Sequence, residues 1–443
     1  MSKKIAGVSI PPAEPQNYVE VAKLIGELDP ASYGFDSNGN YLHWNEFQYR
    51  SREFKGDQKA AAWHALKIRR GLNNISLFDE KDKPFQLSAG SLDAKLYQID
   101  KQLKLEDLPL SAHEKKIHLV KSVIMEEAIS SAQLEGAVTT RKVAKEMLET
   151  AREPKDDSER MIINNWHLIM MADSFKDADL TPELISGFND TATDGVLENE
   201  HVAGQYRKDA VVVGDMANGR IIHEAPEHKH VSKLIKQLCD FANTDHTASA
   251  KFIHPIVKAC ILHFMIGYIH PFMDGNGRTA RALFYWFILK HGYENFKYVS
   301  ISAPLKLAPA KYVRSYVCTE TDDNDLTHFV DYQLTIIIKA IERFNEYIKS
   351  KLEDTREVRE LLDDSKLKGV LKPPHIMILT KGIETAGRVF SVKEIQSDFD
   401  VSHTSARKYL EKLVALKLLF KSKDGNENTY IAPADLKERL TKA

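Results

Sequence analysis

A chain of 443 residues is too long for one ordinary core and predicts two or three domains. Charged residues make up 28% of it, yet the formal net charge is only -2, which argues against a global field drawing the whole protein to nucleic acid or a membrane surface. Cys239, Cys260 and Cys318 form no CxxC pair, so they read as thiols in a reducing compartment rather than as a disulfide or zinc framework.

The opening MSKKIAGVSIPPAEPQ lacks an apolar core of signal-peptide length, and the longest apolar run, Ala282 to Leu289, is too short to span a bilayer. A cytoplasmic protein without membrane contact is expected. Residues 1–110 mix helical pieces with the turn-rich stretches GFDSNGNYLHWNEFQ and LFDEKDKPFQLSAG, and no chemistry attaches to them. From His113, apolar residues at Ile117, Val120, Ile124 and Ala128 keep helical spacing, with Gly136 as a stop and a second helix from near Thr140. Helical patterns continue through SERMIINNWHLIMMADSF and TPELISGFNDTA. They break at VVVGDMANGRIIH, where two β-branched runs flank Asn218-Gly219, a hairpin signal.

Ile256, Cys260, Phe264 and Tyr268, with Val257, Ile261 and Met265 beside them, predict a broad apolar stripe on the next helix. The helix from about Arg278 is apolar nearly all round, as for the centre of an all-α bundle, with further helices near 305–317 and 325–350. Residues 353–369 are charged and precede KPP, so a boundary is expected near 365–373. The chain therefore divides into 1–110, a mostly α core at 111–350, a linker at 351–371 and a C-terminal domain at 372–443.

Between the two apolar helices lies HPFMDGNGRTAR, residues 270–281. Glycines flanking an asparagine ahead of a helix turn backbone N–H groups toward one point at the positive end of the helix dipole, and such a point binds an anion. Arg278 and Arg281, three apart, share a face and can reach one polyphosphate. Asp274 suits a Mg²⁺ that bridges phosphate oxygens, and His270 is a candidate proton acceptor. Singly, His270 also fits a hydrogen-bonded core residue and DGNG an ordinary turn. Calcium does not suit the spacing, since an EF-hand needs oxygen ligands where glycine and arginine stand, and the lysine of a P-loop is missing.

HPFMDGNGRTAR resembles the signature of the Fic family, HxFx(D/E)GNGRxxR, at every defined position. The likeness extends to GQYR at 204–207, the hairpin at 211–223, HEAPEH after it and the helices from about 113 to 345. It implies transfer of AMP from ATP to a Ser, Thr or Tyr hydroxyl of a protein, itself among the candidate targets, with release of pyrophosphate. By this resemblance His270 is the base and Asp274 the Mg²⁺ ligand, Gly275, Asn276 and Gly277 form the anion nest, Arg278 and Arg281 bind phosphate, and Phe272 anchors the loop in the core. An exposed strand edge at Val211, Val212 and Val213 would align an extended target segment, the alternative being a hairpin that only packs.

SSAQLEG alone is an ordinary helix end. Ser131, Glu135 and Gly136 match the family's inhibitory pattern (S/T)xxxE(G/N), which implies that Glu135 pairs with Arg281 in a bidentate contact and blocks the γ-phosphate. Removal of AMP through the same glutamate stays open, as does a homodimer. Residues 372–434 follow the order of a winged helix-turn-helix, with Ala406, Leu410, Leu413 and Val414 inward and Ser402, His403, Thr404, Ser405, Arg407 and Lys408 outward. Lys412, Lys417, Lys421 and Lys423 add charge, and duplex DNA or a protein would suit that face. The expected whole is a mostly α, auto-inhibited protein adenylyltransferase; a DNA-binding regulator with a nucleotide-sensing core is the alternative.

Overall fold

The structure, a computed structural model, describes residues 4–15, 17–103, 121–150, 152–196, 203–214, 221–248, 252–363, 365–399, 401–424 and 427–442. It divides into two compact units. The first comprises Met1–Asp107, Val123–Lys145 and Glu153–Ile341, the second Leu108–Ser122, Glu146–Arg152 and Glu342–Ala443. The expected helix positions Ile117 and Val120, the hairpin turn at Asn218-Gly219 and the charged linker residue Asp364 lie outside the described residues. Among the described residues no helix is long and apolar enough to cross a membrane.

The molecule is mostly helical. In chain order the first unit has β1 (Lys4–Ile5), β2 (Val8–Ser9), α1 (Tyr18–Glu27), α2 (Pro30–Tyr33), α3 (Trp44–Arg50), α4 (Asp57–Arg69), β3 (Asn73–Phe78), β4 (Pro84–Leu87) and α5 (Asp93–Gln102). Then come α6 (Lys121–Leu134, in this unit from Val123), α7 (Arg141–Thr150, in this unit to Lys145), α8 (Asp157–Ser174), α9 (Pro182–Thr193), β5 (Val212–Gly214), β6 (Ile221–Glu224), α10 (Val231–Asn243), α11 (Pro255–Ile269) and α12 (Asn276–Lys290). After them follow α13 (Ser302–Leu307), α14 (Pro309–Thr321) and α15 (Thr327–Asp363), whose residues up to Ile341 belong to this unit.

α11 starts where Pro255 needs no N–H partner and the His254 ring accepts from the Ile256 amide at 3.2 Å. Every residue from Ile256 to Ile266 is buried, so the expected stripe widens to the whole circumference. α11 and α12 are the centre of the core, and helices pack around both. The helix expected near 305–317 is two, because Pro309 has no amide to continue α13 and instead opens α14. Residues 1–110 do not stand apart: Phe85 and Leu87 of β4 and Leu96 and Ile99 of α5 belong to the same core.

His43, Asp322 and His328 lie close enough together to suggest a metal, but their hydrogens are already committed. The His43 Nδ1 accepts from the Asn45 amide at 3.1 Å, so Nε2 carries the ring hydrogen and gives it to the Thr321 hydroxyl at 3.2 Å. The cation here is Lys67, whose Nζ is 3.0 Å from Asp322 and 3.3 Å from Asp325. Burial pushes the pKa of Asp322 up while Lys67 and His328 pull it down, and the pull wins, leaving the carboxyl far below the usual range.

The second unit has α16 (Pro373–Glu384), β7 (Val389–Ser391), α17 (Val392–Phe399), α18 (His403–Ala415), β8 (Phe420–Asp424), β9 (Glu427–Ile431) and α19 (Leu436–Lys442). Its antiparallel sheet has the order β7–β9–β8. The strand β7 had no sequence signal beyond three residues. The segment expected as a linker is helical through Asp363, and its Val358, Leu362 and Leu367 enter this unit's core beside Ala406, Leu410 and Leu413. Their apolar faces are what a charged count over 353–369 conceals.

Asp322→Ala should leave Lys67 with Asp325 as its one remaining carboxylate and take the 2.8 Å partner from the His328 Nε2, and cost about 3 kcal/mol of unfolding free energy, read from urea denaturation. A loss below about 1 kcal/mol would mean the cluster is solvated.

Candidate functional site

The loop at 270–275 begins where α11 stops in an unusual way. His270 caps the helix in the left-handed region, at φ 49°, a conformation that a residue with a Cβ adopts only under constraint. The constraint is Arg207, the last residue of GQYR. Its Nε donates to the His270 carbonyl at 2.8 Å, its Nη2 to the carbonyls of Pro226 and Ile269, and its own amide to Pro271 at 2.9 Å. One buried guanidinium thus ties the helix end to the segment that follows the β5–β6 hairpin.

Phe272 is buried and its ring lies 5.5 Å from that of Tyr206. The Asn276 side chain does not face a ligand. It bonds back to both the amide and the carbonyl of Phe272, at 3.0 and 2.8 Å, and closes the loop, so only its backbone remains for an anion. Gly275, at φ 77°, is the left-handed N-cap of α12, and the first turn of that helix leaves amides without intrahelical partners. Asn189 of α9, which no sequence signal marked, donates to the Asp274 carbonyl at 2.8 Å and accepts from the Gly204 amide at 3.1 Å. A polar residue inside an amphipathic helix was the available clue.

Both arginines are buried. Arg278 donates to the Ala192 carbonyl and, at 2.9 Å, to Asp274, while its Nε has no partner. Asp274 is therefore paired in this structure, though half-exposed. Arg281 gives its Nε to the Ser131 hydroxyl at 2.9 Å and its Nη2 to Ser131 O at 3.2 Å and to Glu135 Oε1 at 2.9 Å; its Nη1 has no partner. The bidentate Glu135–Arg281 contact expected is a single one, because Ser131, one turn earlier on the same face of α6, takes the other edge of the guanidinium. Gly136, at φ 100°, follows the helix as its stop. The Glu135 carboxylate lies against Gly277 so closely that a methyl group on that glycine would collide with it. An acidic side chain of the chain itself sits over the helix N-terminus.

The two histidines near the loop are pushed apart. Burial holds the His270 imidazole down at about 4, with the charges of His223 and Arg207 acting in the same direction. His223, on β6, has both ring nitrogens against acceptors, Glu320 Oε2 at 2.8 Å and the Tyr268 carbonyl at 2.7 Å. Burial opposes its charge, but these contacts outweigh burial and raise its value. It is the imidazolium at the negative end of α11.

Val212 and Val213 lie in β5, paired to Glu224 and His223 of β6; Val211 precedes the strand, its carbonyl accepting from the Ala225 amide. The other edge of β5 has no strand partner among the described residues. In the second unit His403, Thr404, Arg407 and Lys408 are exposed on α18. Ser402 and Ser405 are spent on the helix cap, at 3.2 Å from hydroxyl to amide. Several cations are engaged: Arg407 and Lys421 approach Glu411 at 3.8 and 2.6 Å, and Lys412 reaches the Val370 carbonyl.

A family model described as Fic/DOC family matches residues 179–288, from before α9 through most of α12. That stretch is similar to a Fic domain. A protein of Drosophila willistoni named protein adenylyltransferase Fic is 31% identical over 130 residues, which are 26% of this chain and 24% of that protein. The match thus spans about a quarter of the curated relative. Among solved structures, a Fic family protein from Desulfovibrio desulfuricans aligns at 18% identity over 78% of this chain and 95% of that chain, with a TM-score of 0.49. Fic-1 from C. elegans aligns at 18% identity over 66% and 81%, with a TM-score of 0.48.

The protonation states give an expectation independent of activity. His270 favours the neutral form in the fold, so it should titrate near pH 4 in an NMR pH series, and its protonation below 6.5 should disfavour folding. His223 should stay protonated above 6.5 and lose its contribution as pH rises past its raised value. A His270 midpoint near the ordinary 6.5 would contradict this arrangement.

Proposed function

We propose that this chain is an auto-inhibited protein adenylyltransferase, moving AMP from ATP to a Ser, Thr or Tyr hydroxyl of a protein target. The observation that carries the reading is the pairing of a neutral, left-handed His270 with two buried arginines, each with an unpartnered N–H, at the two ends of one short loop. Imidazole lone pair and guanidinium donors are what a hydroxyl proton and a polyphosphate respectively require.

His270 takes the target hydroxyl's proton as its oxygen bonds to the α-phosphorus; the bond from that phosphorus to the β-bridging oxygen breaks and pyrophosphate leaves. Arg278, Arg281 and the amides opening α12 hold the phosphates in place. Mg²⁺ suits Asp274, whose half-exposed carboxylate can exchange Arg278 for a cation, and when bound it would neutralise charge on the phosphates. The free edge of β5 aligns the target backbone, so the hairpin acts as a flap that is tolerant of side-chain sequence. Glu135, held on Arg281 and over Gly277, occupies anion space and acts as the brake.

Residues 372–443 act as a winged helix, with α17 and α18 as the helix pair and β8 and β9 as the wing. Exposed Arg407 and Lys408 on α18 support contact with duplex DNA.

With α-labelled ATP, Glu135→Gly should raise labelling of the protein or its target on the order of a hundredfold, since misplacement by about 1 Å costs that much. Removing Arg281 as well should cancel the gain. His270→Ala should lower labelling at least about a hundredfold while keeping ATP binding; wild-type labelling in that variant would remove His270 from the mechanism.

Arg407→Ala with Lys408→Ala should weaken duplex DNA binding and reduce the slope of log affinity against log salt by about 0.9 for each phosphate no longer neutralised. Wild-type protein without salt-sensitive DNA binding would assign this module to protein contacts.

A further inference from the structure

Glu127 and Ser131 on α6 and Glu135 just past its end recur every fourth residue and fall on one side. The second and third meet Arg281. The first lines the same small cavity as Arg281 but is bonded to other groups: its buried carboxylate accepts from the Ser300 hydroxyl at 2.7 Å, the Ser302 amide at 3.0 Å and the Ser302 hydroxyl at 2.5 Å, all at the residues that open α13. No ion pair to it forms among the described residues. The neighbouring turn is held too, because Asn165 of α8 donates its side-chain amide to the Ala128 carbonyl at 3.3 Å.

A buried carboxylate is a costly way to pack a helix, since it loses its hydration and recovers it only through directed donors. Of the other buried residues of α6, Ser130 bonds within the helix to Glu126, and Ile124, Met125, Ala128, Ile129 and Ala132 are apolar and would tolerate a slide or rotation along the core. Three donors converging on Glu127 do not. They fix the rotation and the axial position of the helix two turns before Glu135, and thereby fix where the Glu135 carboxylate falls.

We propose that Glu127 is a positioning residue for the brake: its bonds to Ser300 and Ser302 hold α6 in the register that keeps Glu135 on Arg281. This rests on the reading of Glu135 as an inhibitor. Loss of the latch lets the helix shift and lowers the occupancy of Arg281 by Glu135, without removing any group that touches a substrate.

Two measurements on the full chain test it. In hydrogen exchange, Glu127→Gln and Ser302→Ala should speed exchange of the amides from Ala128 to Glu135 while leaving α11 unchanged; unchanged rates in α6 overturn the latch whatever the protein's activity. In labelling with α-labelled ATP, each variant should exceed wild type by about tenfold or more, the range of a lost bond to a charged group. Glu127→Gln added to Glu135→Gly should change nothing, because the brake it positions is already gone. A fall in labelling in both backgrounds makes Glu127 a merely structural residue and overturns the proposal. Faster exchange together with no gain from Glu135→Gly would instead locate the failure in the inhibitory reading, which would overturn the proposal at its premise. Ser302→Ala retains the Glu127 charge and the Ser302 amide, so it keeps the test open if Glu127→Gln does not fold.

Discussion

The site depends on a reversal of the chain between two buried helices. α11 and α12 are both packed on all faces, so neither can tilt outward to make room for a long connection, and the loop from His270 to Gly275 must turn within a few residues. Two left-handed residues make this feasible, one of them a histidine. The backbone at His270 is held by Arg207 donating to carbonyls on both sides of it, and the imidazole is kept neutral by burial and by the cations around it. Position and protonation state of the candidate base thus come from the same constraint.

That constraint explains why groups remote in sequence cluster here. A helix C-terminus exposes carbonyls, and Arg207 and His223 bring donors to them; a helix N-terminus exposes amides, and Glu135 brings a carboxylate over them. Both ends of the loop are capped by side chains from other elements. The hairpin carrying His223 and the helix carrying Glu135 are coupled to the loop through its electrostatics and not through apolar packing alone.

What could be read from the sequence was what is local. The motif at 270–281, the helix stop at Gly136 and the inward residues of α18 are each defined by spacing within a few residues, and each takes its expected place in the fold. What could not be read depends on pairings across hundreds of positions. Lys67 with Asp322, Arg207 with His270, and Glu127 with Ser300 and Ser302 have no sequence periodicity to announce them. Asn276 was visible as part of an anion nest, yet its side chain serves Phe272, because a motif shows which residues matter and not which atoms face inward. Residues 353–369 misled in the opposite way, since charge on one face of a helix masks Val358, Leu362 and Leu367 on the other.

The Glu135 carboxylate against α12 has one further consequence. It is an anion held by the chain's own fold beside the amides that open α12, so its presence there is intramolecular. Dilution does not release a tethered ligand. Its occupancy is set by the stiffness of the helix that carries it, and so by the fold rather than by how much protein is present.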